Sequence, residues 1–356
     1  MSLPLSVHIM TAALWPGDAI GNYVLTLRRL LIGLGCRVRL YADATSPEFP
    51  APAYPSHLYQ STGRDLLWYH YSVGADNLAC IAASADFRLM DFHGVSPPRL
   101  FAGYDAHLAE RCREGERRLP EMRDQFDLCV AHSNYAMRVL ADSGYHRARM
   151  LPLVVDTDRF DGMEDQMLSN WARQIDYWLF VGRVVPQKDI LSLLRVFAEF
   201  HKAHPDAVLI IVGGRHLAPG YQRRLDRAVA RWRLERRVLF LGQVSHPALL
   251  TSLYRHAHFT LVTSEWESFC VPVVESMHFG TPVVAHDVPP VPEVMGAGGI
   301  VIDKRDPRRA AEQIDAVWRE PARREELRAA ARARARHFTA DVLRAELLAL
   351  FRSEFA

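Results

Sequence analysis

The sequence predicts an α/β protein built from two parallel-sheet halves in tandem, and three observations carry that prediction. Apolar, strand-like runs alternate with amphipathic helical stretches along most of the chain, a pattern that implies a parallel sheet covered on both faces. The alternation begins afresh near residue 176, after the polar stretch DTDRFDGMEDQ (156–166). A length of 356 residues, 49% of them hydrophobic and 24% charged, suits two cores better than one.

Taken in order, SVHIM from residue 6 has the pattern of a strand, PGDAIGN (16–22) that of a loop, and YVLTLRRLLIGLG that of an amphipathic helix stopped at Gly35. CRVRLYAD then alternates as a second strand, which completes a βαβ opening. LLWYHYSVG (66–74), FRLMDFHGV (87–95) and LCVAHS (128–133) continue the strands, with a mixed-charge helix expected over 107–124. The second half opens with the strand DYWLFVGRV (176–184), the helix DILSLLRVFAEFHKAH and the continuous apolar strand AVLIIVGG (207–214). VLFLGQV, FTLVTS and TPVVAHD repeat the rhythm, with HPALLTSLYRHA as a helix between the first two. The expectation is two Rossmann-like domains, 1–165 and 166–337, with ligands in the crevice between them, beyond the carboxyl ends of the strands. The C-terminal stretches EPARREELRAAARARARHF and DVLRAELLALFRSEF have the interleaved charges of solvated helices, and a helix at about 338–356 is expected to pack back on the first domain.

Composition narrows the function. Lysine and arginine number 43 against 41 acids, so the charge excess that holds nucleic acid by counterion release is missing. The five cysteines, Cys36, Cys80, Cys112, Cys129 and Cys270, are scattered, odd in number and free of CxxC pairing, which argues against a disulfide framework or structural zinc. No apolar run approaches the roughly 18 residues of a membrane helix, and MSLPLSVHIMTAAL lacks the basic start of a secretory signal. The expected location is the cytoplasm, with peripheral contact to the inner face of the membrane left open.

There is no GxGxxG after the first strand, no GxxxxGK and no HExxH. Asp156-Thr157-Asp158 spells a carboxylate pair that could hold a divalent metal, but its place in the linker favours a turn or cap, and no metal is expected. More informative is Gly182-Arg183 at a strand end, with Lys188 following near a helix start. A glycine permits close backbone approach, and an arginine fork with a lysine point charge suits a diphosphate.

In 265-EWESFCVPVVESMHFGTPVV-284, Glu267 and Glu275 flank an apolar run. Neither a continuous helix nor a strand aims two residues eight apart at one small ligand. Pro272 suits the first turn of a helix, which places Glu267 in a loop, Glu275 one turn inside the helix, and the amides of Phe269, Cys270 and Val271 at its start, where they suit an anion. Acids need donors, and the clustered hydroxyls of a sugar and a ribose supply them. Cations for a diphosphate with acids for hydroxyls describe a nucleotide-sugar.

These residues resemble the retaining glycosyltransferases of family 4, which have the GT-B fold of two Rossmann-like domains facing across a cleft. ESFCVPVVES is similar to that family's Glu-Gly-Phe-Gly-x-Pro-x-x-Glu-Ala segment, FVGRVVPQK to its phosphate-binding segment, VPPVPEVMGAGGIVI to the stretch after its second glutamate, and VVDTDRF (154–160) to its linker. The resemblance implies metal-independent transfer of a hexose from a UDP-, GDP- or ADP-sugar to an acceptor hydroxyl, by a front-face route with retention and no covalent cofactor. It implies that Arg183 and Lys188 hold the diphosphate, Glu267 the sugar hydroxyls and Glu275 the ribose. Gly17, Asp18 and Gly21 correspond to its N-terminal loop against the donor, and His93 in DFHGVSPP to a histidine near the reacting centre and acceptor. The acceptor class is a small molecule, a glycan or a lipid-linked sugar. Ser268, Cys270 and Ser276 depart from the family's Gly, Gly and Ala. The competing readings are a nucleotide-sugar-binding subunit without activity, and another GT-B enzyme such as a phosphorylase or epimerase.

Overall fold

A computed structural model of the chain describes residues 6–157, 160, 162–244 and 246–355, and divides it into two compact units. Unit 1 comprises residues 1–156 and 338–356, and unit 2 residues 157–337.

Unit 1 runs β1 (Ser6–Leu14), α1 (Ala19–Gly33), β2 (Arg37–Thr45), β3 (Ala53–Pro55), β4 (Leu66–Tyr71), α2 (Leu78–Ala83), β5 (Phe87–Phe92), α3 (Ala106–Glu121), β6 (Leu128–Ala131), α4 (Asn134–Asp142) and β7 (Ala148–Met150). Its strands form a seven-stranded sheet in the order β3-β2-β1-β4-β5-β6-β7, every pairing parallel. Each residue of β4 is buried, as expected of a central strand covered on both faces.

Unit 2 runs α5 (Gln166–Ala172), β8 (Tyr177–Val181), α6 (Ile190–His201), β9 (Val208–Val212), α7 (Pro219–Arg231), β10 (Val238–Gly242), α8 (Pro247–His256), β11 (Phe259–Val262), α9 (Val271–His278), β12 (Val283–His286), α10 (Val291–Met295), β13 (Gly299–Ile302), α11 (Pro307–Trp318) and α12 (Pro321–Ala335). Its six parallel strands follow the order β10-β9-β8-β11-β12-β13, which is the doubly wound Rossmann order with a switch point between β8 and β11. The last helix, α13 (Ala340–Glu354), belongs to unit 1. Arg147 and Arg149, flanking and within β7, reach Glu354 at 2.5 and 2.7 Å, and the ring of Phe355 packs edge-on against Phe87.

Several elements differ from expectation at their ends. Strands expected to reach residues 74 and 95 stop at 71 and 92, and α3 ends at Glu121, next to Pro120, rather than at 124. PGDAIGN is a loop only as far as Asp18. The Asp18 carboxylate accepts from the amides of Ile20 and Gly21 at 3.1 and 3.3 Å and so starts α1 at Ala19, which places Gly21 in the helix. Among the described residues no helix is long and apolar enough to cross a membrane. All five cysteines are free thiols. Asp156 lies 3.6 Å from Arg29, and Asp158 is outside the described residues.

Gly182, Gly213 and Gly242 end or follow β8, β9 and β10, and all have positive φ. At Gly213 the constraint is steric as well: a Cβ there would lie 1.8 Å from the carbonyl oxygen of Gly182. G213A therefore forces the β8 and β9 ends apart. It is expected to destabilise unit 2 by about 3 kcal/mol or more, measured by denaturant unfolding, and an unchanged midpoint would refute the constraint.

Candidate active site

In unit 2 the carboxyl ends of β8 and β11 carry the charged residues singled out from the sequence. After Gly182 the chain turns through Arg183, exposed and without an ion pair among the described residues, into a 3-10 turn over Pro186–Lys188. Lys188 ends that turn and precedes α6. Asp189 follows in the left-handed region at φ 42° and caps α6 by accepting from the Ser192 amide. Lys188 Nζ donates to Glu267 Oε1 at 2.6 Å, and the Ser264 hydroxyl donates to the same oxygen at 2.6 Å. Glu267 is 5% exposed, so its charge depends on these donors.

A second lysine builds the frame around this pair. Lys304, 6% exposed, donates to Glu265 Oε1 at 2.6 Å and to the carbonyl of Thr263 at 2.7 Å, and lies 2.9 Å from Asp189 Oδ2. The Thr263 hydroxyl donates to the carbonyls of Lys188 and Asp189, and the Glu265 amide to the carbonyl of Gln187. The buried Gln187 side chain donates to the carbonyl of Trp266. The loop after β11 is thus tied to the turn after β8 on both sides of Lys188 and Glu267. The Lys304 hydrogen bond and charge hold the Glu265 carboxyl below its ordinary range.

The segment that joins the two glutamates is a loop entering a helix. Cys270 is the N-cap of α9 at φ 78°, a conformation that favours glycine, and Pro272 follows in the first turn. Phe269 and Cys270 are buried, and Val271 opens the helix, so its amide is among those with no partner inside α9. Burial, with Glu267 beside it, pushes the Cys270 thiol well above its usual range, the opposite of an activated nucleophile. Glu275 is 4% exposed and accepts from the Tyr254 hydroxyl at 2.8 Å. The two acids accordingly have different partners, Lys188 and Ser264 for the first and Tyr254 for the second.

In unit 1, Gly17 (φ 75°) and Asp18 form the loop after β1. Gly21 is packed tightly, since a Cβ there would meet the carbonyl oxygen of Trp15 at 2.9 Å. His93 stands just past β5, and the structure gathers around it a set of residues the sequence reading did not assemble. His70 near the end of β4, Asp91 in β5 and His132 just after β6 are all buried. His93 Nε2 is 2.8 Å from His70 Nδ1 and 3.3 Å from Asp91 Oδ1. His132 Nε2 is 2.7 Å from Asp91 Oδ1, and the Trp68 indole donates to Asp91 Oδ2 at 2.9 Å. The ring of Tyr23, from α1, packs edge-on against all three imidazoles. Burial opposes ionisation of Asp91, but His132, His93 and His70 outweigh it and hold the carboxyl well below its ordinary range. Burial lowers His70 to about 4 and takes His93 well below the imidazole range, in each case against the pull of Asp91.

Two trios place their donor atoms within 4.8 Å of one another, as a metal ion would need: His70, Asp91 and His93, and His8, Asp65 and Asp86. In the second, Asp86 already accepts from the Tyr59 hydroxyl and from backbone amides of Thr62 and Gly63, which marks it as the anchor of a turn. The residues missed from sequence, Asp91, His70, His132, Tyr254 and Lys304, lie far apart along the chain. A usable signal was present for three of them. HYS, DFH and AHS each put a polar residue at the carboxyl end of an apolar strand, where ligands of parallel sheets sit.

Residues 169–334 match the family described as "Glycosyl transferases group 1". The chain is 30% identical over 217 residues to a D-inositol 3-phosphate glycosyltransferase of Corynebacterium jeikeium, covering 54% of this chain and 51% of that protein. It is 27% identical over 245 residues to the O-antigen chain mannosyltransferase B of Escherichia coli, covering 64% and 62%. It spans about half the length of the first curated relatives it matches. Among solved structures, sucrose-phosphate synthase from Thermosynechococcus elongatus superposes with a TM-score of 0.77 at 19% identity, covering 98% of this chain and 99% of that one. Anabaena HepE in complex with UDP and glucose gives 0.77 at 18%, covering 98% and 100%. Two Rossmann-type units matched over nearly their whole length make the fold GT-B. Residues 169–334 thus resemble the group 1 glycosyltransferases, within a chain that has the GT-B fold.

Proposed function

We propose that this chain transfers a hexose from a nucleoside diphosphate sugar to an acceptor hydroxyl with retention at the anomeric carbon, and that it uses no metal at the diphosphate. The observation that carries the reading is the Lys188–Glu267 contact of 2.6 Å, framed by Lys304, at the switch point between β8 and β11. A cation and an acid held together at that point suit a donor with a charged diphosphate on one side and a hydroxyl-rich sugar on the other.

Arg183 and Lys188 hold the diphosphate and stabilise the charge that develops as it departs, an electrostatic role that calls for no covalent intermediate. The amides of Phe269, Cys270 and Val271 at the start of α9 add to that stabilisation. Glu267 binds hydroxyls of the transferred sugar and Glu275 those of the ribose. Gly182 lets the backbone approach the phosphates, Gly17 and Asp18 before α1 and Gly21 in its first turn serve the donor, and His93 serves the reacting centre and acceptor. The departing phosphate takes the acceptor's proton on the front face, consistent with a Cys270 thiol too basic to act as nucleophile. The curated relatives named for inositol phosphate and for an O-antigen chain favour a cyclitol or glycan hydroxyl as acceptor.

Thermal shift against UDP-, GDP- and ADP-hexoses, followed by mass spectrometry of the nucleotide released, tests the proposal. One donor class is expected to raise Tm and release nucleoside diphosphate, unchanged by excess chelator. Binding without release or transfer would favour a non-catalytic binding subunit.

A further inference from the structure

The cluster around His93 contains polar atoms that its own side chains do not satisfy. Asp91 Oδ1, His132 Nε2 and His70 Nε2 are buried, and none has a hydrogen-bond partner among the described residues. Asp91 is 0% and His70 1% exposed, so bulk water does not reach them, and orphaned atoms at that depth call for a partner of another kind. His132 shows which kind. Its Nδ1 lies 2.9 Å from the carbonyl oxygen of Leu151, which only accepts, so Nδ1 carries hydrogen and the Nε2 of the neutral ring keeps its lone pair. That lone pair faces Asp91 Oδ1 at 2.7 Å. Two acceptor atoms at such a distance repel unless a cation joins them.

We propose that unit 1 holds one divalent transition-metal ion of the zinc class, bound by His70, Asp91 and His93 and closed by His132 Nε2. The donor atoms of the first three lie within 4.8 Å of one another. His93 Nε2 is 2.8 Å from His70 Nδ1 and 3.3 Å from Asp91 Oδ1, near the edge of about 3.3 Å that bonds of about 2.0–2.1 Å make around tetrahedral zinc. The sheet assembles the set: His70 and Asp91 are register partners across β4 and β5, and His93 and His132 follow the ends of β5 and β6. The outer contacts also suit a metal. The Trp68 indole donates to Asp91 Oδ2 at 2.9 Å and leaves Oδ1 to the ion, while the Leu151 carbonyl fixes the His132 ring with Nε2 inward. Three imidazoles with one carboxylate favour zinc over calcium or magnesium, which prefer oxygen ligands. Four protein ligands leave no open position, so the ion is structural, and the ring of Tyr23 covers it edge-on from α1. It takes only the Nε2 of His93 and stands apart from Arg183 and Lys188, which belong to unit 2.

The ion does not rest on the proposed transferase reading, and its test reads metal rather than activity. The full chain, free of any polyhistidine tag, is unfolded with chelator, refolded metal-free and titrated with Zn2+ or Co2+. One equivalent per chain is expected, with visible d–d bands for Co2+ and a Tm raised by about 5 °C or more for Zn2+. D91N and H70Q are expected to abolish both signals. H132Q should weaken binding about tenfold or more, and it reads the same site should the other two fail to fold. H8Q, in the second trio, should bind as the parent does. A refolded chain that takes up no stoichiometric ion would overturn the proposal, and so would an ion kept by D91N and H70Q but lost in H8Q. Because the ligands are buried, chelator added to the folded chain is expected to leave both the ion and the transfer rate unchanged. A metal-loaded chain that transfers no sugar would refute the transferase reading and leave the ion standing.

Discussion

K188A is expected to lower kcat for sugar transfer by about 10²- to 10³-fold, as when one preorganised donor to a developing charge is removed. The chain should still fold. The Lys188 side chain is 16% exposed, and Glu267 retains the Ser264 hydroxyl as a donor after the change. The stability cost is that of a buried acceptor losing one of its two donors, about 1–2 kcal/mol. Steady-state kinetics beside a denaturant melt distinguishes the two effects. Near-normal turnover in a folded K188A protein would remove Lys188 from the chemistry, whereas a collapse of both would make it a structural lysine.

The second large effect falls on stability. K304A removes the cation that Asp189 and Glu265 share and leaves the carbonyl of Thr263 without that donor. Breaking a buried pair by deleting one partner costs about 3–5 kcal/mol, but the Glu265 side chain is 44% exposed and can regain water. A loss of about 2–3 kcal/mol is expected, or roughly 5–10 °C in Tm for a unit of this size. Because the Glu265 carboxyl is held low in the folded state, the stability it contributes is present above the ordinary glutamate range and fades as pH falls through its folded value. The K304A penalty should therefore shrink in acid. Turnover should fall too, since Thr263 and Gln187 tie the two loops that bring Lys188 to Glu267. A K304A chain as stable as its parent would refute the frame.

The central strands were legible because burial on both faces leaves a continuous apolar run, as in LLWYHY and VLIIV. Strands β3 and β7 have three residues each, too few to show a period. Helix α7 hides behind arginines in PGYQRRLDRAVAR, although Tyr221, Leu225, Ala228 and Val229 form one buried stripe. The site shows the same division. Pro272 and the spacing of Glu267 and Glu275 announced a loop entering a helix, because a proline in a first turn is a local constraint. Asp18 as a cap was equally local, yet the glycines on either side of it made the segment look like loop throughout. Lys304 and the Asp91–His132 pair could not be read, since their partners come from other strands and only the sheet order brings them together. Cys270 is the instructive departure. A left-handed N-cap usually filled by glycine is kept here by a buried thiol, so the backbone requirement survives the change of residue.

The most direct test is the anomeric outcome of the reaction. With the donor class identified by thermal shift and a cyclitol or glycan acceptor supplied, 1H NMR of the first product reports the configuration of the new bond. An α-linked nucleoside diphosphate hexose is expected to give an α-glycoside, with nucleoside diphosphate released in equal amount and the rate unchanged by chelator. A β-glycoside from the α-linked donor, or donor binding with no bond formed to any acceptor, would contradict it.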